Sequence, residues 1–176
     1  MKKQKIKKLV LSALFLGIGM VLPFLTMQIK EIGDSLLPMH LPVMLCGVLC
    51  GYSYGAAIGF LLPFLRSFCF GMPPIYPNAV WMSAELLTYG LIIGLLYKKL
   101  PKNTFCLYTS LIASQISGRI VWGISKALLL GLNGKTFTLA LFISGGFIDA
   151  IPGIILQLIL LPTIITIFKR TKLIFD

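Results

Sequence analysis

Five ionisable residues interrupt otherwise apolar stretches of the chain: Arg66, Glu85, Arg119, Lys126 and Asp149. A charge at the centre of a bilayer costs about 2.5–3.5 kcal/mol on insertion scales, so each must face protein or a water-filled cavity. Gln115, Arg119, Trp122 and Lys126 follow i, i+4, i+7, i+11, which places an amide, two cations and an indole on one helical face. Asn78, Glu85 and Tyr89 fall near one stripe of the preceding helix, and Asp149, Gly153 and Gln157 near one stripe of the last. The chemistry available to such faces is recognition of an anionic or zwitterionic small molecule, since the five charges sum to +1 and one cation is left over. The competing reading is structural, with Arg119 or Lys126 pairing with Asp149 or Glu85 only to hold helices together.

Bond-breaking chemistry has no support. No Gly-x-Ser-x-Gly elbow and no His-x-x-Glu-His zinc set occurs, so no enzymatic activity is expected. His40 is the only histidine; one imidazole without carboxylate or cysteine neighbours is a poor metal site, and it reads as an interfacial hydrogen-bonding residue. Cys46, Cys50, Cys69 and Cys106 form no CxxC pair and read as small buried hydrophobes. Gly131-Leu132-Asn133-Gly134-Lys135-Thr136 ends like a phosphate loop but lacks its spacing.

The elements that must hold these residues are membrane helices. Of 176 residues 57% are hydrophobic and 12% charged, with mean hydropathy +0.95, against about 25% charged residues in a soluble domain. The net charge of +11 does not indicate nucleic acid, because eleven of the 16 basic residues sit in three clusters at the ends of apolar runs. These are Lys2, Lys3, Lys5, Lys7 and Lys8; Lys98, Lys99 and Lys102; and Lys169, Arg170 and Lys172. The positive-inside rule produces that pattern, with the clusters on the cytoplasmic side.

Leu9 to Met27 is too long for the core of a signal peptide and has no small-x-small cleavage site after it, so it reads as a retained helix. Met39 to Phe70 is apolar over 32 residues, long for one helix and short for two. If the amino terminus and Lys98–Lys102 are both cytoplasmic, an even number of spans separates them, so this stretch supplies two short helices turning at Gly51 to Gly55. The alternative is one long helix with Gly47, Gly51, Gly55 and Gly59 as a small-residue stripe. The expected fold is an all-α integral membrane protein, a single six-transmembrane-helix bundle with both termini cytoplasmic. Its helices run over 9–27, 39–51, 55–70, 78–97, 105–130 and 142–168. At about 1.5 Å per residue the ionisable residues then sit in the outer half or at mid-depth, facing one outward-opening cavity. Two connections are placed to cover it: Gly71 to Pro77, stiff and carrying Tyr76, and Gln28 to Pro38 with Lys30, Glu31 and Asp34.

The runs from Leu41-Pro42-Val43-Met44-Leu45-Cys46-Gly47 through Gly51-Tyr52-Ser53-Tyr54-Gly55 and Gly59 to Leu62-Pro63-Phe64-Leu65-Arg66-Ser67, and Ser117-Gly118-Arg119-Ile120-Val121-Trp122-Gly123, resemble the S components of energy-coupling factor vitamin transporters. The resemblance extends over nearly the whole chain in length, helix number and charge layout. It implies a multi-pass protein of the bacterial plasma membrane that binds a vitamin or related micronutrient from outside. It also implies a transmembrane coupling subunit and two cytoplasmic ATPases as partners, with ATP used by them and no cofactor in this chain. In the family, small residues four apart on the first helix pack against the coupling subunit; Ala13 and Gly17 occupy that pattern, with Ser12 and Gly19 nearby, although Gly17 replaces the usual Ala.

The substrate-binding set expected here is Arg119, Trp122, Lys126, Gln115, Glu85, Asn78, Asp149, Arg66, Tyr76 and His40. The surplus cation suits a carboxylate or phosphate-like substrate such as pantothenate, while Trp122 and Tyr76 suit a flat ring such as pyridoxine. Two other classes stay open: a self-sufficient carrier driven by protons through Glu85 and Asp149, and a membrane enzyme acting on lipids.

Overall fold

The computed structural model describes residues 2–26, 35–132, 134 and 136–170, and the described residues form helices joined by short connections. Helix α1 (Lys2–Val21) is prolonged by a 3-10 turn at Leu22–Thr26. Then come α2 (His40–Leu49), α3 (Tyr52–Phe70), α4 (Val80–Lys99), which is preceded by a π-helical turn at Ile75–Ala79, and α5 (Thr104–Leu132). The last rod has two arms, α6 (Leu139–Ile143) and α7 (Ile151–Arg170), with a π-helical turn at Ser144–Ile148 between them. The described residues thus form a bundle of six helical rods.

Local chemistry sets the boundaries. Asn103 Oδ1 accepts from the Cys106 N–H at 2.7 Å and caps α5. Gly71, with φ of 71°, closes α3 in the left-handed conformation, its N–H bonded to the Ser67 carbonyl. Lys98 and Lys99 end α4 where the helix dipole favours cations. Between α2 and α3 the chain breaks at Cys50 and Gly51, whose φ of 106° ends one helix and starts the next. The 39–70 stretch is therefore two helices, with a tighter turn than Gly51–Gly55 because Tyr52 already belongs to α3.

Of the four glycines spaced by four, only Gly51 is a turn; the others are packing surfaces. A Cβ at Gly90 of α4 would lie 2.3 Å from the Gly55 backbone of α3, and one at Gly55 would lie 2.6 Å from the Gly47 Cα of α2. Backbone-to-backbone approach of this kind replaces the hydrophobic drive that helices lack in lipid. Around it sits a core of Val43, Met44, Leu62, Leu86, Ile93 and Leu111, joined by Leu161 and Ile165 of α7. Large apolar side chains also cover the outside: Phe68 is 74% exposed, Phe105 75% and Leu132 80%. A surface of that kind suits hydrocarbon rather than water.

Among the described residues, four segments are long and apolar enough to cross a membrane: Lys3–Leu25, Tyr52–Phe70, Ile75–Lys99 and Leu139–Lys169. Helix α2 is shorter, and the 29 residues of α5 include the polar face described below. One end of the bundle is basic. Lys169 Nζ donates to the Lys102 carbonyl at 2.9 Å and lies 5.8 Å from the Tyr97 ring centroid, and Lys98 lies 5.6 Å from that of Tyr52. The first residues of α2 and α4 and the last of α5 lie at the opposite end.

Candidate functional site

Three helices bring three side chains to one point near that opposite end. His40 opens α2, Glu85 stands in the second turn of α4, and Arg119 lies near the middle of α5. Glu85 Oε1 is 3.2 Å from His40 Nε2 and 3.0 Å from Arg119 Nη1. All three residues are buried, none more than 3% exposed. Neither Glu85 nor Arg119 would be tolerable alone at such depth; each offsets the desolvation of the other. The His40 ring stands edge-on to Tyr89, centroids 4.9 Å apart. Tyr89 reaches that place because residue 118 is glycine: a Cβ there would fall 2.5 Å from the tyrosine ring.

One turn from Arg119 on α5, Gln115 Nε2 donates to Gln157 Oε1 of α7 at 3.0 Å, so the fourth element joins the same polar line. Among the described residues, several buried polar atoms in this region have no hydrogen-bond partner: both ring nitrogens of His40, Glu85 Oε1, Arg119 Nε and Nη2, and Gln157 Nε2. Buried polar groups are ordinarily paired, and each unmade bond costs about 1–3 kcal/mol.

Farther along α5 an aromatic box surrounds the Lys126 ammonium. Its Nζ lies 4.4 Å from the Trp122 centroid, 5.4 Å from Trp81 and 5.6 Å from Phe137. Arg119 Cζ is 5.9 Å from the same Trp122 ring, so one indole touches both cations of the α5 face. Phe142 stacks obliquely on Trp122 at 6.3 Å, and Phe137 meets it edge-on at 6.0 Å. Behind this stack lies an apolar depression of about 400 Å³, lined by Ile120, Gly123, Phe137, Thr138, Leu139 and Phe142 among others. His40, Glu85 and Arg119 take no part in its lining.

The residues singled out from sequence thus divide. Arg119, Gln115, Trp122 and Lys126 lie along one face of α5, and Glu85 meets that face. His40 meets it too, and the expectation that it has no carboxylate neighbour is corrected: Glu85, 45 positions away in sequence, is its partner. Arg66 is occupied elsewhere, its Nη1 donating to the Met20 carbonyl at 2.6 Å with the guanidinium against Phe24 and Phe70. Asp149 is exposed and accepts from Ser144 Oγ at 3.4 Å. Tyr76 is 53% exposed, and Asn78 is half-buried in the turn before α4. Lys30, Glu31 and Asp34 of the proposed covering loop lie outside the described residues. Trp81 and Phe137 are additions that helical spacing could not supply, because they reach Lys126 from other elements.

The small residues of α1 also divide. Ser12 and Gly19 face inward, Ser12 within 3.5 Å of the Cys46 thiol and Gly19 against Leu62. Ala13 and Gly17 face outward, and a Cβ at Gly17 would meet nothing within 4 Å.

The described residues form a bundle of helices with a buried polar cluster toward one end and an apolar exterior, the make-up of an integral membrane protein. The chain matches the family model for the ECF transporter, substrate-specific component, over residues 7–165, and it belongs to that family. No curated protein and no solved structure matches it.

Proposed function

We propose that this chain is the membrane subunit that captures a vitamin or related micronutrient from outside the cell for an ECF-type importer, with the His40–Glu85–Arg119 cluster at the centre of its binding site. The chain spans the bilayer six times with both termini and Lys98–Lys102 in the cytoplasm of a bacterium. A transmembrane coupling subunit docks on the Ala13–Gly17 face, and two cytoplasmic ATPases supply the energy; this chain needs no cofactor. The observation that carries the reading is the concentration of orphaned buried donors beside an ion pair. A pair kept only for stability would be expected to satisfy its remaining N–H groups internally. Family membership supports the transport role, and the basic end supports the orientation.

The test is uptake in vesicles. With coupling and ATPase subunits present, accumulation is expected to require ATP and to persist when an uncoupler collapses the proton gradient. Uptake by this chain alone that stops with the uncoupler would instead establish a proton-driven carrier.

A further inference from the structure

The two ends of the bundle differ in charge. Among the described residues the basic end gathers Lys3, Lys5, Lys7 and Lys8 of α1, Lys98 and Lys99 at the end of α4, Lys102 in the connection to α5 and Lys169 at the end of α7. The described carboxylates, Glu85 and Asp149, stand toward the other end, one in the second turn of α4 and one just before α7. A surface of one sign attracts the opposite sign, and in a bilayer the phosphates of anionic lipids supply it.

Two of these ammonium groups are held in place. Lys98 Nζ lies 5.6 Å from the Tyr52 centroid and Lys169 Nζ 5.8 Å from that of Tyr97, both within cation–π reach. The two tyrosines belong to one corner of the bundle: a Cβ at Gly94 of α4 would fall 2.6 Å from the Tyr52 Cα, and Tyr97 follows in the next turn of α4. Lys169 also donates to the Lys102 carbonyl at 2.9 Å, which ties the end of α7 to the α4–α5 connection. An unrestrained lysine loses much rotamer freedom when it grips a phosphate, whereas one already resting on a ring loses less. Exposed apolar side chains stand beside this junction, Phe105 at the start of α5 and Ile167 near the end of α7. Ammonium groups next to exposed apolar surface match a headgroup together with its acyl chains; a soluble anion would use only the first. The geometry points to a binding site for one anionic phospholipid, its phosphate on Lys98 and Lys169 and its chains along Phe105 and Ile167. This site is remote from the His40–Glu85–Arg119 cluster and independent of the role proposed for it.

The test titrates the full-length protein in detergent micelles with phosphatidylglycerol and with phosphatidylcholine of the same acyl chains. Native mass spectrometry counts the lipid retained, and the thermal midpoint reads the stabilisation that binding brings. Phosphatidylglycerol is expected to be retained about tenfold or more over phosphatidylcholine, to raise the midpoint, and to lose both advantages at high salt. A lysine near an anionic surface contributes about fivefold, so Lys98→Gln/Lys169→Gln is expected to erase most of the preference. Lys3→Gln/Lys5→Gln, the same change of charge elsewhere on the basic end, should leave it within about twofold. Equal loss in the two double variants would make the attraction diffuse and overturn the site. Equal retention of the two lipids by the unmodified protein would also overturn it and assign these lysines to a protein partner. Glycerol phosphate raising the midpoint as far as phosphatidylglycerol would overturn the lipid in favour of a soluble anion. The comparison of lipids is made on the unmodified protein, so it does not depend on how any variant folds.

Discussion

Glu85 of α4 and Arg119 of α5 form an ion pair of 3.0 Å whose side chains are 3% and 4% exposed, and His40 of α2 closes on the same carboxylate oxygen. The pair ties together three helices that have no chain connection at that depth. It is therefore a structural fastening and, in the function proposed above, the centre of the recognition site, and the two roles can be separated by mutation.

Removing one partner of a buried pair strands the other and costs about 3–5 kcal/mol, whereas replacing both by neutral groups is often close to neutral. Arg119→Gln alone and Glu85→Gln alone are thus expected to lower the thermal midpoint clearly. The double variant Glu85→Gln/Arg119→Gln should regain most of that stability without regaining ligand binding. Recovery of binding in the double variant, measured by calorimetry beside the melting curve, would show that the charges act only as a fastening.

The glycine contacts give a second, independent expectation. Gly90→Ala places a methyl 2.3 Å from the Gly55 backbone, which cannot move aside without separating α3 from α4. The cost of such overpacking is about 1–3 kcal/mol or more, read as lost monodisperse protein on size exclusion. Gly131→Ala, where a Cβ meets nothing within 4 Å, should be neutral or gain a few tenths of a kcal/mol from helix propensity. Equal behaviour of the two would contradict the close packing of α3 on α4.

On α1 the inward and outward small residues should behave oppositely. Ala13→Leu and Gly17→Leu leave the bundle unaltered, so ligand binding should stay within about twofold while partner-driven uptake is lost through poorer helix contact. Gly19→Leu, aimed at Leu62, should instead reduce folded protein. Co-purification with the coupling subunit distinguishes the cases: capture by Ala13→Leu at the unmodified level would remove this face from the docking surface.

Trp122 contacts both cations of the α5 face, and a cation–π contact contributes about 0.5–2 kcal/mol. Trp122→Ala is expected to weaken ligand binding about tenfold. Trp81→Ala, which touches Lys126 from α4, should have a smaller effect in the same direction. The check is a titration of each variant with the ligand of the unmodified protein; an unchanged affinity for Trp122→Ala would place the ligand away from α5.

What could be read from the sequence was whatever one helix carries on its own face. Arg119 and its companions at 115, 122 and 126 share a stripe set by the 3.6-residue repeat, and a charge in an apolar run announces itself without a partner. The break between α2 and α3 followed from counting charged ends, and Gly51 alone could have served as turn or packing residue. Tertiary pairing was hidden. Nothing in the spacing links His40 to Glu85, Trp81 to Lys126, or Gln115 to Gln157, because those contacts depend on the rotation of each helix about its axis. The partner of Arg66 was hidden for the same reason: its helix points it at the end of α1, where the Met20 carbonyl receives it.

The most direct measurement is mass spectrometry of small molecules released from the purified protein, run side by side on the unmodified chain and the Glu85→Gln/Arg119→Gln variant. The expected result is one micronutrient at near-stoichiometric amount in the first and its absence from the second, with both preparations folded. The same molecule at the same occupancy in both would contradict a binding site centred on Glu85 and Arg119.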